Sequence, residues 1–180
     1  MTAGGACRIL LIGMMGSGKS TIGRLLSEAT GWPYVDNDDL VRRISGTTAR
    51  QLVADGDEAA MREIESAALV AAVGMHAPVI LGIAAGTILD RANRDRLRHG
   101  GIVAWLTASP AILATRAVGA EHRPWLDGDI GAWFSEAAAE REPLFGEVAD
   151  ITIDIGRSSA GEAVVLLREH PAIREACADA

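Results

Sequence analysis

Short, almost uninterrupted apolar runs alternate along this 180-residue chain with stretches whose apolar residues recur every three or four positions. The runs Arg8 to Ile12, Pro33 to Asp36, Val79 to Ile83, Ile102 to Leu106 and Ile151 to Ile155 predict five strands buried on both faces, as parallel strands are. The helical periodicity predicts helices over Lys19 to Thr30, Asp39 to Ser45, Thr48 to Asp55, Glu58 to Val73, Arg91 to Arg98, Pro110 to Val118, Ile130 to Arg141 and Ala160 to Arg168. Thr47 or Thr48, Asp57, Asp90 and Ser109 stand where N-caps belong. Strand-like runs that alternate with helical patterns to the end are the signature of an α/β domain built on a parallel sheet. The segment from Gly119 to Gly128 has no period and carries Gly, His, Arg and Pro, so it reads as a mobile loop. The Ala-rich end, Ala172 to Ala180, is expected to fray.

Between the first strand and the first helix lies Gly13-Met14-Met15-Gly16-Ser17-Gly18-Lys19-Ser20-Thr21, which fits G-x-x-x-x-G-K-[ST]. Glycines let such a loop turn its backbone N–H groups inward, and the following helix adds its positive dipole end, so the loop cradles nucleotide phosphates. Lys19 would reach the β- and γ-phosphates, and the Ser20 hydroxyl would take one position on Mg²⁺. A structural turn without ligand is the bland alternative, but both flanks match the context the motif requires. Of the 17 basic side chains 16 are Arg, and the single Lys is Lys19. The phosphate loop has kept a compact ammonium in a chain that otherwise uses guanidinium.

Length predicts one domain over residues 1–180, and 49% hydrophobic content suffices for a substantial core. No apolar stretch is long enough to span a membrane, and Met1 to Gly5 has no feature of a secretion signal, which points to the cytoplasm. A net charge of −7 argues against non-specific nucleic-acid binding but leaves room for a small anion held by clustered Arg. Cys7 and Cys177 lie near opposite ends without paired spacing, so they read as plain thiols. The four His residues are scattered and share no metal-ligand spacing, so no role is assigned to them.

Other constellations are weaker alone. Asp36 and Asp38 end the second strand at the carboxyl edge, where ligands of open α/β sheets bind, and in extended geometry they would project from one side. One could hold Mg²⁺ through water while the other accepts a substrate hydroxyl; capping of the next helix explains them equally well. Arg62 and Glu65, three apart on a helix, could present a fixed guanidinium to a carboxylate or form a solvated ion pair. Arg123 falls in the mobile loop and Arg141 at the end of a helix.

Together these segments resemble the shikimate kinase family, small nucleoside-monophosphate-kinase-like P-loop kinases. The resemblance runs in order through Gly13 to Leu26, Asp36 and Asp38, Met61-Arg62-Glu63-Ile64-Glu65, Ala84-Ala85-Gly86, Arg123-Pro124-Trp125-Leu126 and Arg141-Glu142-Pro143-Leu144-Phe145. It implies a three-layer α/β/α P-loop kinase fold with a five-stranded parallel sheet, a mobile lid near 119–128, and a monomer that phosphorylates shikimate with Mg²⁺ and ATP. On the same basis Gly13, Gly16, Ser17, Gly18, Lys19, Ser20, Thr21, Arg116, Arg123 and Arg157 would bind the nucleotide, Arg116 and Arg157 at the adenine. Ser20 and Asp36 would hold the metal, the latter in its outer sphere. Asp38, Arg62, Arg141 and the turn Ala84, Ala85 and Gly86 would bind shikimate, with Lys19, Asp38 and Arg123 acting in the transfer. The family carries three glycines where this chain has Ala84-Ala85-Gly86. Two added methyls would be harmless at negative φ and otherwise could crowd the substrate ring. That leaves a related kinase of another small hydroxylated acid or cyclitol, or a non-catalytic nucleotide-binding protein, as alternatives.

Overall fold

A computed structural model describes residues 7–48, 51, 58–117 and 129–178. The elements run β1 (Arg8–Ile12), α1 (Lys19–Thr30), β2 (Tyr34–Val35), α2 (Asn37–Ser45), α3 (Glu58–Val73), β3 (Val79–Gly82), a 3-10 turn (Ala85–Leu89), α4 (Arg91–Gly100), β4 (Ile102–Thr107), α5 (Pro110–Ala117), α6 (Ile130–Val148), β5 (Ile151–Asp154), α7 (Ala160–Glu169) and α8 (Pro171–Ala176). All strand pairs are parallel and the order is β2-β3-β1-β4-β5. Leu10 of β1 faces Leu81 of β3 on one side and Val103 of β4 on the other. Helices cover both faces, α1 packing with α7 on one and α3, α4 and α6 meeting on the other.

The sheet sits in the core because its strands carry few polar residues. Ile9, Leu10, Leu11, Val79, Ile80, Leu81, Val103, Ala104 and Leu106 are all fully buried. α1 meets them with Ile22 and Leu26, and α7 with Ala163 and Leu167. No helix among the described residues is long and apolar enough to cross a membrane.

Several expectations need correction. The helix over Thr48 to Asp55 and the cap at Asp57 lie almost wholly outside the described residues. β2 is shorter than Pro33 to Asp36, because Asp36 leaves the strand to cap α2, accepting from the Asp38 N–H. Asp36 and Asp38 therefore do not project together from an extended strand. α6 continues past Arg141 to Val148 with Pro143 inside it. Proline removes one backbone donor there, but Phe145 and Val148 beyond it are buried, and Phe145 stacks on Trp105 of β4 at 5.8 Å. Burial of that last turn outweighs the missing bond.

The C-terminal segment is tied rather than frayed over 171–177. His170 caps α8 by accepting the Ala172 N–H at Nδ1, so the absence of any role for this His is corrected. Cys177 then forms a disulfide with Cys7, just before β1, across a separation of 170 residues. The expectation of two plain thiols is overturned: sequence spacing cannot show that the fold brings these Cα atoms to 5.1 Å. Closing so long a loop restricts the unfolded chain. Cys177→Ser, or reduction, should lower the unfolding free energy by about 2 to 4 kcal/mol. Denaturant titrations with and without reductant check this, and equal midpoints would mean that the pair is open in solution.

Candidate active site

Parallel topology brings the carboxyl ends of all five strands to one edge, and the phosphate loop, Asp36 and the turn at Ala84 leave the strands there. The loop from Gly13 to Gly18 leaves the end of central β1 with Gly13, Gly16 and Gly18 at φ of 141°, 80° and 78°. A side chain at Gly13 would run into the Leu106 carbonyl of β4, and one at Gly16 would lie 3.0 Å from the Leu113 carbonyl of α5. Gly18 serves as N-cap of α1 without any side-chain bond, which leaves the helix N-terminus open toward the loop. Lys19 arches back so that Nζ donates to the carbonyls of Gly13 at 2.9 Å and Met14 at 3.0 Å. Ser17 is buried, and its Oγ has no hydrogen-bond partner among the described residues. A buried, unsatisfied hydroxyl inside a ring of left-handed glycines fits an anion such as a phosphate. Thr21 follows, exposed, in the first turn of α1.

Ser20, one turn into the motif, donates its Oγ hydrogen to Asp36 Oδ2 at 2.6 Å. Tyr34 donates to the same oxygen at 2.8 Å, and the Asp38 N–H reaches Oδ1 at 3.2 Å. Burial alone would push the Asp36 carboxyl up, but these three hydrogen bonds and the Lys19 charge hold it below the usual carboxylate range. Asp36 is thus an anion at neutral pH. Burial, together with the Asp36 carboxylate, keeps the Tyr34 phenol well above its ordinary range, so it stays a donor. A hydroxyl and a hydrogen-bonded carboxylate beside the phosphate loop suit a hard cation that takes its remaining ligands from phosphates and water. No cluster of three or more metal-binding side chains exists among the described residues, in keeping with such a sparse donor set.

On the β3 side, the 3-10 turn carries Ala84, Ala85 and Gly86 past α3. Ala84 lies at φ −62° and Ala85 is already in the turn, its methyl packed on the core. Gly86 is different. A Cβ there would sit 2.7 Å from Glu65 Oε2 and 3.5 Å from an Arg62 Nη. Glu65 is only 9% exposed, and its Oε2 finds no hydrogen-bond partner among the described residues. Burial, the largest influence, pushes its carboxyl up to about 7; Arg62 and Arg141 pull it down and Asp38 pushes it up. Asp38, Arg62, Glu65 and Arg141 are therefore electrostatic neighbours, although they come from α2, α3 and α6. A solvated Arg62–Glu65 surface pair is excluded by the burial of Glu65. Arg141 lies with its guanidinium 5.9 Å from the Trp133 ring centroid and Nε 3.4 Å from Glu140.

Across β1, exposed Arg116 on α5 donates to the Ile155 carbonyl at 3.0 Å, in the turn after β5. Arg157 in that turn is 89% exposed and pairs with Asp154 at 3.3 Å. Arg116 borders the phosphate loop on the β4–β5 side, its Cβ 3.6 Å from where a side chain at Gly16 would begin. Arg123 and the rest of the expected lid lie outside the described residues. What the sequence did not signal is Tyr34, the burial of Glu65, and Trp133 beneath Arg141. Tyr34 and Trp133 read as ordinary apolar positions, and a single Glu on a helix gives no sign of being buried.

Glu65 makes stability depend on pH. Its native value near 7 exceeds the ordinary 4.5, so the native state holds a proton that the unfolded chain releases. The contribution is complete below about 4.5 and is lost as pH rises through 7, on the order of 3 kcal/mol in all. Glu65→Gln should flatten that fall. Denaturant titrations from acid to mildly alkaline pH test it, and parallel slopes for both proteins would show that Glu65 is already ionised in the native state.

Known proteins resemble this chain in sequence and fold. The shikimate kinase family model matches residues 15–170. The shikimate kinase of Oleidesulfovibrio alaskensis is 38% identical over 165 residues, covering 89% of this chain and 95% of that protein. That of Symbiobacterium thermophilum is 37% identical over 165 residues, covering 89% and 94%. Among solved structures, shikimate kinase from Acinetobacter baumannii in complex with shikimate has a TM-score of 0.83 at 29% identity, over 90% of this chain and 91% of that one. A gluconokinase from Sinorhizobium meliloti shares the fold more loosely, with a TM-score of 0.60 at 23% identity over 96% of this chain and 90% of that one. With a phosphate loop on central β1, a cluster of acids and arginines beside it, and a match spanning most of its length, the chain belongs to the shikimate kinase family.

Proposed function

We infer that this chain transfers the γ-phosphoryl group of ATP to a hydroxyl of shikimate, giving shikimate 3-phosphate. The observation that carries the reading beyond family membership is the meeting of Asp38, Arg62 and Arg141 around buried Glu65, beside the phosphate loop. Shikimate is a ring that bears one carboxylate and several hydroxyls. Two arginines held in place suit the carboxylate, and an exposed aspartate on α2 suits the accepting hydroxyl.

In this reading Arg62 and Arg141 clamp the carboxylate and set the ring against the turn at Gly86. Asp38 accepts the hydrogen of the attacking hydroxyl and takes its proton as the new P–O bond forms. The bond from the γ-phosphorus to the β–γ bridging oxygen breaks, and ADP leaves with that electron pair. Gly13 to Thr21 hold the phosphates, with Lys19 turning from the loop carbonyls to the transferring group. Arg123, in the lid, meets the same charge, and Arg116 and Arg157 border the adenine. Such a reaction needs in-line positioning and charge neutralisation more than covalent help. Ser20 and Asp36 would hold Mg²⁺, which supplies charge neutralisation on the phosphate oxygens. The reading is completed by a monomer that works in the cytoplasm on soluble substrates.

A coupled assay with and without shikimate tests the activity directly. Lys19→Ala should abolish transfer while leaving the melting temperature near that of the parent, and near-normal turnover would overturn the assignment of the loop. Arg62→Ala or Arg141→Ala should raise the KM for shikimate by about one to two decades, with little change in the KM for ATP. Unchanged values in both variants would remove the carboxylate clamp.

The departure from three glycines generates a separate expectation. Because Ala84 has negative φ and Ala85 points its methyl into the core, Ala84→Gly with Ala85→Gly should change kcat/KM for shikimate by less than about three-fold and lower stability by roughly 0.4 to 1 kcal/mol per site. Gly86→Ala should do the opposite, displacing Glu65 and Arg62 at a cost of roughly 1 to 3 kcal/mol and lowering kcat/KM. A ten-fold gain from the two glycines would instead favour a parent enzyme tuned to a different hydroxylated acid.

A further inference from the structure

Tyr34 is one of two residues in the shortest strand, pairing with Ile80 of β3 at the sheet's edge. Its ring is threaded between two elements that both lack a side chain where they meet it. A methyl at Gly23 of α1 would overlap Cε2 and lie 2.8 Å from Cζ; one at Gly82, the last residue of β3, would strike the hydroxyl itself and lie 3.3 Å from Cζ. Glycine costs about 0.5 to 1 kcal/mol against Ala inside a helix or strand, so two of them around one ring constitute a slot. The slot ends at Asp36.

We propose that Tyr34 is a positioning residue for the metal of the nucleotide complex: its hydroxyl locks the Asp36 carboxylate that shares an oxygen with Ser20. The inference rests on the reading of Ser20 and Asp36 as metal partners given above. A carboxylate oxygen offers two lone-pair directions. Both on Oδ2 are taken, one by Ser20 at 2.6 Å and one by Tyr34 at 2.8 Å, while Oδ1 accepts the Asp38 N–H at 3.2 Å. Donors on both oxygens stop the carboxylate from rotating. Ser20 consequently spends its one hydrogen on Asp36 in a fixed direction, which leaves the lone pairs of its oxygen for a cation. The remaining acceptor direction of Asp36 is on Oδ1, which suits a metal-bound water rather than the ion itself. Without the phenol, Asp36 could pivot about its Cβ–Cγ bond and the Ser20 hydroxyl could turn with it.

A purely structural role would affect stability alone, so the test reads the metal's contribution to binding. The affinity of ADP is measured by calorimetry on the full chain, in excess Mg²⁺ and in chelator, for the parent, Tyr34→Phe, Gly82→Ala and Asp36→Asn. Tyr34→Phe keeps the ring in its slot and should leave ADP binding in chelator unchanged while reducing the strengthening by Mg²⁺ about three- to ten-fold, less than the full worth of a hydrogen bond to a charged group because the phenol acts on the metal only through Asp36. Gly82→Ala, which keeps the phenol but displaces its oxygen, should give the same loss. A Mg²⁺ contribution equal to the parent's in both variants overturns the proposal. If Asp36→Asn removes the Mg²⁺ contribution and they do not, only the inference about Tyr34 falls. If Asp36→Asn also leaves it unchanged, the metal reading of Ser20 and Asp36 fails, and this inference with it.

Discussion

β1 lies in the middle of five parallel strands, and that position decides where chemistry can occur. A strand with neighbours on both sides delivers its loop to the centre of the carboxyl edge, so ligand groups can be supplied from two directions. β2 and β3 lie to one side with α2 and α3, which carry Asp36, Asp38, Arg62 and Glu65. β4 and β5 lie to the other with α5, which carries Arg116. From β1 the chain runs to β2 on one side, and from neighbouring β4 it runs to β5 on the other; strands whose connections diverge in this way leave the crevice in which open α/β sheets bind their ligands. In the reading proposed above, a nucleotide stretched across β1 has its base on the β4–β5 side and its terminal phosphate facing Asp38 and Arg62 of the β2–β3 side.

What those acids and arginines share is a buried carboxyl. Glu65 is held near neutrality by competition between burial, which disfavours its charge, and Arg62 and Arg141, which favour it. A second anion arriving between the two guanidiniums would find them already oriented, because Arg141 is backed by Trp133 and the Arg62 guanidinium lies close to Gly86. That arrangement also explains why the three positions of the small-residue turn are not equivalent. Ala84 has an ordinary negative φ and Ala85 packs its methyl on the core, whereas any Cβ at Gly86 meets the pair. The glycine requirement comes from contact with side chains, not from an unusual backbone angle.

The parts legible in the sequence were those written in local pattern. β1 and α1 run over the residues the pattern predicts, because a saturated apolar run and an uninterrupted helical period leave little freedom. The phosphate loop was legible because its geometry is set by glycines at fixed spacing. Illegible were features that depend on distant partners. Cys7 and Cys177 are 170 residues apart, and nothing in their spacing shows that α8 returns to the start of β1. Asp36 could be read as cap or as metal partner, and the structure shows one oxygen capping while the other accepts Ser20 and Tyr34, so the two readings were never exclusive. Pro143 marked a helix end by local rule, and only the burial of Phe145 and Val148 explains why the helix continues.

The two ends of β1 show how stability and function are kept apart in a chain of this size. At its amino end Cys7 is fully covered and joined to Cys177, so the first strand and the last helix are held together whatever happens elsewhere. At its carboxyl end the structure tolerates what a core would not: Ser17 Oγ, Glu65 Oε2 and Thr87 Oγ1 are all buried without a hydrogen-bond partner among the described residues. Each such group costs roughly 1 to 3 kcal/mol relative to a satisfied one. A phosphate or substrate group that reached Ser17 Oγ or Glu65 Oε2 would supply the missing partner and offset part of that cost.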